Sequence, residues 1–333
     1  MKNILIIGHS NIGDVCYNMA VVRPLKDAYP GAVLSFVTSP RCRELVEGYR
    51  GIDNVIIYDR SGADKGFINQ ARFVMGLRKT NFDLAIALKS SARYVFLRSR
   101  SVWSVGNNKN AHIHPVDRYL ALLRQNGINC PSARFDFALA RKDEDFALDF
   151  FKKNNIRQGE AIAGIMPLAA WTLKSWPVER WNSLADRLKR EKGLKVIALG
   201  KSDGSKFSST VLSSLSADII RAGQTTLEQA IALISKCNVF IGPDSSLLHI
   251  ASCMGINSIG LYGPTSIDCF YPYFHRHNIV RAAKTLPCMP CCPGMNVVCN
   301  KDVIRHDFGP CMQEIRVDEV FDKIMKITER ARG

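Results

Sequence analysis

The sequence predicts a parallel α/β protein built in two successive halves, and three observations carry that prediction. Short apolar runs alternate with amphipathic helical stretches along nearly the whole chain, each change falling at a turn-forming residue. The alternation starts afresh after a charged passage at 141–160. At 333 residues the chain is too long for one ordinary core, since domains run to about 150 residues.

The first half opens with a buried strand over 2–7, followed by the loop His9-Ser10-Asn11-Ile12-Gly13-Asp14. A helix is expected over 15–28, kinked by Pro24, before Pro30-Gly31 turns the chain into a strand over 33–38. A strand over 55–58, a helix over 67–78 and a strand over 84–88 follow. Next come a helix over 93–100, a strand over 102–105 and a helix over 115–126, opened by Pro115 and closed by Gly127. Alternating apolar residues predict a last strand over 135–139. The first loop has Gly8 and Gly13 at the spacing of a nucleotide-binding P-loop, but Asp14-Val15 replaces Lys-Ser/Thr. An acid there would repel phosphate, so the loop is either a plain turn or a place where a carboxylate works.

In the second half, strand 161–165 leads into a long loop over 166–177, and a helix follows over 177–190. Strands over 194–199 and 219–220 and helices over 205–215 and 227–236 lead to the most regular unit of the chain, 238–265. There Val239-Phe240-Ile241 stops at Gly242-Pro243-Asp244, and Leu247, Leu248, Ile250, Ala251 and Met254 mark one face of a helix ending at Gly255. A second apolar run over 259–262 stops at Gly263-Pro264-Thr265. Asp244, Ser245 or Ser246 can cap this helix, and its free first-turn amides at the end of a parallel strand form a ready site for phosphate. An ordinary capped αβ unit would look the same. The expected organisation is two Rossmann-like domains facing a cleft, at 1–150 and 151–315. An amphipathic helix over 316–333 follows, for which packing back on the first domain is one option.

Composition narrows the function. Hydrophobic content of 47% with 23% charged residues is that of a soluble globular protein. Forty-five Lys and Arg against thirty Asp and Glu give a formal charge of +15, which points to an anionic partner. The basic residues are spread along the chain and accompanied by no aromatic-and-basic recognition motif, so nucleic acid is not the expected partner. No stretch reaches the roughly eighteen apolar residues of a membrane span, and 4–7 is too short for a signal-peptide core. A cytoplasmic protein is expected, and the eleven scattered cysteines do not read as a secreted disulfide framework.

Three segments together resemble the ADP-heptose:lipopolysaccharide heptosyltransferases of glycosyltransferase family 9. They are Gly13-Asp14 with the helix to Arg23-Pro24-Leu25-Lys26, then Leu173-Lys174-Ser175-Trp176-Pro177, and Gly242 to His249 with Gly260 to Thr265. The resemblance implies the GT-B fold, with the site in the cleft between its two domains. It further implies transfer of a heptose from ADP-L-glycero-D-manno-heptose to the Kdo or heptose inner core of lipopolysaccharide, with inversion and without an essential metal or other cofactor. The alternative is an enzyme of the same build with another nucleotide-sugar donor, or with an O-antigen, other glycan or protein acceptor.

On this resemblance Asp14 matches the family's general base, which takes the proton of the acceptor hydroxyl; an acid there could also serve the first helix as a cap. Lys174 matches the lysine that offsets charge on the leaving diphosphate. Gly13, Thr172, Asp203, Asp244, Ser245, Ser246 and His249 are the candidate donor-binding residues, with the Ser245 and Ser246 amides on diphosphate and Asp244 on sugar hydroxyls. A helical histidine such as His249 is equally readable as a packed core residue. Arg93, Arg98 and Arg118 are the candidate contacts to an anionic, lipid-linked acceptor, because guanidinium groups match carboxylate and phosphate. Such an acceptor implies peripheral contact with the cytoplasmic face of the inner membrane.

The chain departs from the family at two places. Ala169 and Ala170 stand where members carry Thr or Ser, and Gly200-Lys201-Ser202-Asp203 lacks the Glu expected near the ribose. Cys288, Cys291, Cys292, Cys299 and Cys311 are loosely spaced like a zinc site, but with one Cys-x-x-Cys they read first as structural cysteines.

Overall fold

The computed structural model describes residues 2–89, 97–106, 112–200, 202–216, 218–223, 225–282, 286, 288–289, 291, 299 and 308–330. It divides into two compact units, Met1–Ala138 and Leu139–Gly333. The division therefore falls at 138/139 instead of 150.

The first unit is a five-stranded parallel sheet: β1 (Asn3–Ile7), β2 (Val33–Thr38), β3 (Asn54–Ile57), β4 (Phe82–Ala87) and β5 (Ser99–Ser104), in the order β3-β2-β1-β4-β5. Parallel strands are covered on both faces, which is why β1 reads as an unbroken apolar run. Successive side chains alternate between faces, so Leu5 and Ile7 join Val37 and Ala85 on one side with Leu77 and Phe82. The helices are α1 (Ile12–Asn18), α2 (Val22–Ala28), α3 (Arg43–Glu47), α4 (Phe67–Leu77) and α5 (Pro115–Gln125).

Three expectations change here. The helix over 15–28 is two helices joined by a 3-10 turn at Met19–Val21, just before Pro24 removes a backbone donor. The helix over 93–100 gives way at its end to β5, which includes Ser99 and Arg100; residues 93–96 lie outside the described residues. The strand over 135–139 is a single antiparallel bridge between Phe137 and Tyr49. There Phe137 packs edge-on to the Tyr49 ring at 5.3 Å, and the Tyr49 hydroxyl accepts from the Asp136 amide at 2.8 Å. Alternation there marks a loop pinned to the domain, since a strand needs a neighbour to pair along its length.

The second unit begins with α6 (Arg141–Lys153), the charged passage expected between domains. Its strands are β6 (Ile162–Ile165), β7 (Lys195–Ala198), β8 (Ile219–Arg221), β9 (Val239–Pro243), β10 (Ser258–Tyr262) and β11 (Ile279–Arg281), in the order β11-β10-β9-β6-β7-β8 and all parallel. Both sheets thus start at the centre, run outward on one side, then return to the centre and run outward on the other. Its other helices are α7 (Val178–Lys192), α8 (Lys206–Ser213), α9 (Leu227–Ile234), α10 (Ser246–Cys253), α11 (Pro310–Gln313) and α12 (Val317–Arg330).

The final helix buries Val320, Phe321, Ile324 and Ile327 in the core of this second unit, beside Leu184 and Leu188 of α7. Arg187 of α7 stacks over the Phe321 ring at 3.8 Å. The apolar stripe, for which packing on the first domain was one option, is occupied within the second unit. No described helix is long and apolar enough to cross a membrane.

Candidate active site

In a doubly wound sheet, ligands bind beyond the carboxyl ends of the strands where the winding reverses direction. In the second unit that point lies between the neighbours β6 and β9. The loop after β6 carries Lys174 in a 3-10 turn, Thr172–Lys174, and the turn after β9 carries Asp244 into α10. Chain topology thus explains why residues 70 positions apart meet.

The meeting is a buried ion pair. Lys174 Nζ donates to Asp244 Oδ2 at 2.5 Å, and His249 Nε2 lies 2.8 Å from Asp244 Oδ1, with side chains only 15%, 9% and 6% exposed. His249 lies in the first turn of α10, five residues past Asp244, and its ring reaches back to the carboxylate in the turn before the helix. Burial pushes the Asp244 carboxyl up, but the His249 hydrogen bond and the Lys174 charge outweigh it and hold the group well below the usual carboxylate range. The group is a fixed anion with one oxygen on each partner.

This arrangement decides the open question of capping. Asp244 is engaged by Lys174 and His249, and Ser245, the residue at the N-cap, forms no side-chain cap. The Ser245 hydroxyl turns instead to Met166 Sδ at 3.0 Å. The first turn of α10, at Ser246, therefore keeps its amides unclaimed by a capping side chain, at the positive end of the helix dipole.

The lysine-bearing loop is anchored from below. Trp176 is fully buried, donates from Nε1 to the Ile315 carbonyl at 3.1 Å and meets Trp181 edge-to-face at 4.9 Å. Such aromatic pairs add ~0.5–1.5 kcal/mol beyond area burial. The Ser175 hydroxyl accepts from the Ala169 amide at 3.2 Å, and Gly309 approaches so closely that an added Cβ would lie 2.6 Å from the Leu173 carbonyl oxygen. Thr172 is exposed at the start of the turn.

Sequence reasoning did not single out Met166, Trp171, Tyr262 or Thr265. Trp171 lies under Lys174 with Nζ 5.8 Å from its ring centre. Tyr262 and Thr265 are buried, with hydroxyls that have no hydrogen-bond partner among the described residues. Burial first, and the Asp244 charge second, push the Tyr262 phenol well above its usual range. The signal was present as Tyr262-Gly263-Pro264-Thr265, at the strand end beside β9.

Asp203 stands apart. Its Oδ1 accepts from the Ser208 hydroxyl at 2.6 Å and the Ser205 amide at 2.9 Å, at the start of α8. The Ser208 and Ser205 hydrogen bonds lower its carboxyl to about 2. The geometry engages this acid in its own helix start.

The first unit repeats the logic at β1 and β4, its own reversal point. Gly13 and Asp14 lie in the first turn of α1, where Asp14 Oδ2 accepts from the Asn11 side-chain amide at 3.1 Å. His9 stands beside them, its amide donating to Asn18 Oδ1 at 2.8 Å and its ring 6.4 Å from that of Tyr119. Burial lowers the His9 imidazole pKa, the Asp14 charge and Asn18 oppose that, and Lys89 and Arg118 add to it. Asp14 on α1 and Arg118 on α5 thus both act electrostatically on this ring, in opposite directions. Arg118 Nε is buried without a hydrogen-bond partner among the described residues. Arg98 lies elsewhere, against α4, and Arg93 lies outside the described residues.

Of the clustered cysteines, Cys292 lies outside the described residues; Cys288, Cys291, Cys299 and Cys311 form no disulfide among the described residues, and the Cys291 thiol donates to the Cys288 carbonyl at 3.4 Å. Burial first, with Cys291 nearby, pushes the Cys311 thiol up to about 12. No group of metal-ligating side chains forms among the described residues.

Comparison with known proteins agrees with this architecture. Lipopolysaccharide heptosyltransferase 2 of Salmonella typhimurium is 25% identical over 308 residues, covering 84% of this chain and 87% of that protein. The solved structure of a family 9 glycosyl transferase from Veillonella parvula superposes with a TM-score of 0.81 at 19% identity, over 99% and 98% of the two chains. The E. coli ADP-heptose lps heptosyltransferase II does so at 0.72 and 21% identity, over 100% of both. These likenesses show the GT-B fold. Residues 83–298 match the model of glycosyltransferase family 9 (heptosyltransferase), well over half of the chain, and the chain accordingly belongs to that family of glycosyltransferases.

Proposed function

We propose that this enzyme transfers a heptose from ADP-L-glycero-D-manno-heptose to the Kdo or heptose inner core of lipopolysaccharide, inverting the anomeric centre. The observation that carries the reading is the Lys174–Asp244–His249 group beside the uncapped start of α10. A diphosphate gains negative charge as the bond to the sugar breaks, and a preorganised cation with free helix amides stabilises that charge where it develops. Asp244, kept ionised, accepts from sugar hydroxyls and keeps Lys174 in place. In the first unit Asp14 takes the acceptor proton as its oxygen attacks the anomeric carbon, and Arg118 holds an anionic group of the acceptor. Gly13, Thr172, Ser245 and Ser246 complete the donor contacts.

The donor supplies all the chemistry, without a further cofactor, and the enzyme works in the cytoplasm, peripherally at the inner membrane. The names of the relatives support the heptose donor and the lipopolysaccharide acceptor. One observation favours a second reading, a family 9 enzyme with another donor. Asp203, offered in place of the missing Glu, is engaged by Ser205 and Ser208, leaving the ribose contact to other groups.

Calorimetric titration with ADP, UDP, GDP and CMP tests the choice. Tightest binding of ADP is expected. A clear preference for another nucleotide would retain the family and overturn the heptose assignment.

A further inference from the structure

Helix α4 is apolar on two faces. Phe73 and Leu77 pack into the first unit's core, while Phe67, Ile68 and Met75 are 87%, 73% and 67% exposed. These three are the most exposed large apolar side chains among the described residues. With Ala71 they form a strip at helical spacing, 67, 71 and 75 with 68 beside them, along a groove of about 890 Å³. Single exposed apolar residues are ordinary, but a contiguous strip on one helix marks an interaction surface.

The chemistry round the strip identifies what it meets. Arg72, Arg78, Lys79 and Arg98 line the same groove, and none of them joins an ion pair among the described residues. No Asp or Glu occurs from Lys65 to Phe82, nor from Leu84 to Val116. Apolar side chains projecting from a helix with a cationic rim match a bilayer surface bearing anionic headgroups: the apolar strip enters the acyl boundary and the cations meet phosphate. A second protein copy, carrying the same cations, would meet like charge.

We propose that the outer face of α4 is the surface by which this enzyme docks on an anionic lipid bilayer. This deepens the peripheral contact proposed above and is independent of the donor. Docking there holds the first unit, with Asp14 and Arg118, at the surface where a lipid-linked acceptor resides.

Sedimentation of the full chain with vesicles of phosphatidylglycerol in phosphatidylcholine, without substrates, tests it. The wild type should bind these vesicles, bind pure phosphatidylcholine far more weakly, and release as salt rises. Phe67→Gln/Ile68→Gln/Met75→Gln should weaken partitioning about tenfold or more, and Arg72→Gln/Lys79→Gln about fivefold per charge removed. Transfer to a soluble, delipidated acceptor should be unchanged in both variants, which also shows that they fold. Failure of the wild type to bind anionic vesicles would overturn the peripheral contact itself. Wild-type binding undiminished in both variants would overturn the assignment to α4. A concentration-dependent dimer abolished by the triple variant, with no vesicle binding, would assign the face to a second copy instead.

Discussion

Asp14 and Lys174 are ionisable side chains in two different physical settings, and each setting carries its own prediction. Asp14 is partly exposed in the first turn of α1, hydrogen-bonded to Asn11 and close to His9. If it is the base, Asp14→Ala should lower turnover by a factor of about 10²–10⁴ with donor affinity intact by calorimetry. Near-normal turnover would remove it from the mechanism. Lys174 is held 2.5 Å from a buried carboxylate, so Lys174→Ala removes a cation and strands an anion at once. A loss of about 10²–10³ in turnover is expected, together with a drop in stability of order 3 kcal/mol from the broken buried pair. Kinetics and Tm both equal to wild type would reduce the lysine to a loop residue.

Among the elements, the loop after β6 shows most clearly how packing governs chemistry. Its position rests on Trp176 below and on Gly309, the N-cap of α11, alongside. Gly309 has φ −62°, a backbone any residue adopts, so its side-chain requirement is purely one of space. A Cβ there would meet the Leu173 carbonyl oxygen at 2.6 Å, and backbone cannot swing aside as a flexible side chain can. Gly309→Ala is therefore expected to push the Thr172–Lys174 turn outward and weaken ADP binding, with Tm lowered by a few degrees. Unchanged affinity in a correctly folded variant would show that the turn tolerates displacement.

For the molecule as a whole, acid should be destabilising in two steps. Burial, reinforced by the neighbouring His277, lowers the His275 imidazole to about 4. Its Nδ1 lies 3.0 Å from the Ser252 hydroxyl. Between about pH 6.5 and 4 the unfolded chain binds a proton there that the folded chain refuses, so stability falls as pH falls through that window. Below about pH 4 the depressed Asp244 carboxyl takes over, since its stabilisation is present above the unfolded pKa and lost toward the folded one. Replacing His275 by Gln should flatten the fall of Tm between about pH 6.5 and 4 without altering the fall below pH 4. An unchanged slope in the upper window would remove His275 as its source.

The sequence by itself determined the αβ alternation, the restart of the pattern in the second half, and the turn from Gly242 to Ser246 that opens a helix. These are local properties: a buried strand must be apolar, a helix keeps its period, and a Gly-Pro-Asp turn ends a strand wherever it folds. Only the tertiary structure decided what each face of those elements touches. The stripe of α12 and the two apolar faces of α4 look alike in sequence, yet the first is buried on α7 and one face of the second is left to solvent. Asp203 and Asp244 are both acids after a strand, yet one is engaged by the start of α8 and the other by Lys174 and His249. Periodicity states that a side chain needs a partner; which partner arrives depends on the winding of the sheet, which brings β6 beside β9 and so Lys174 to Asp244.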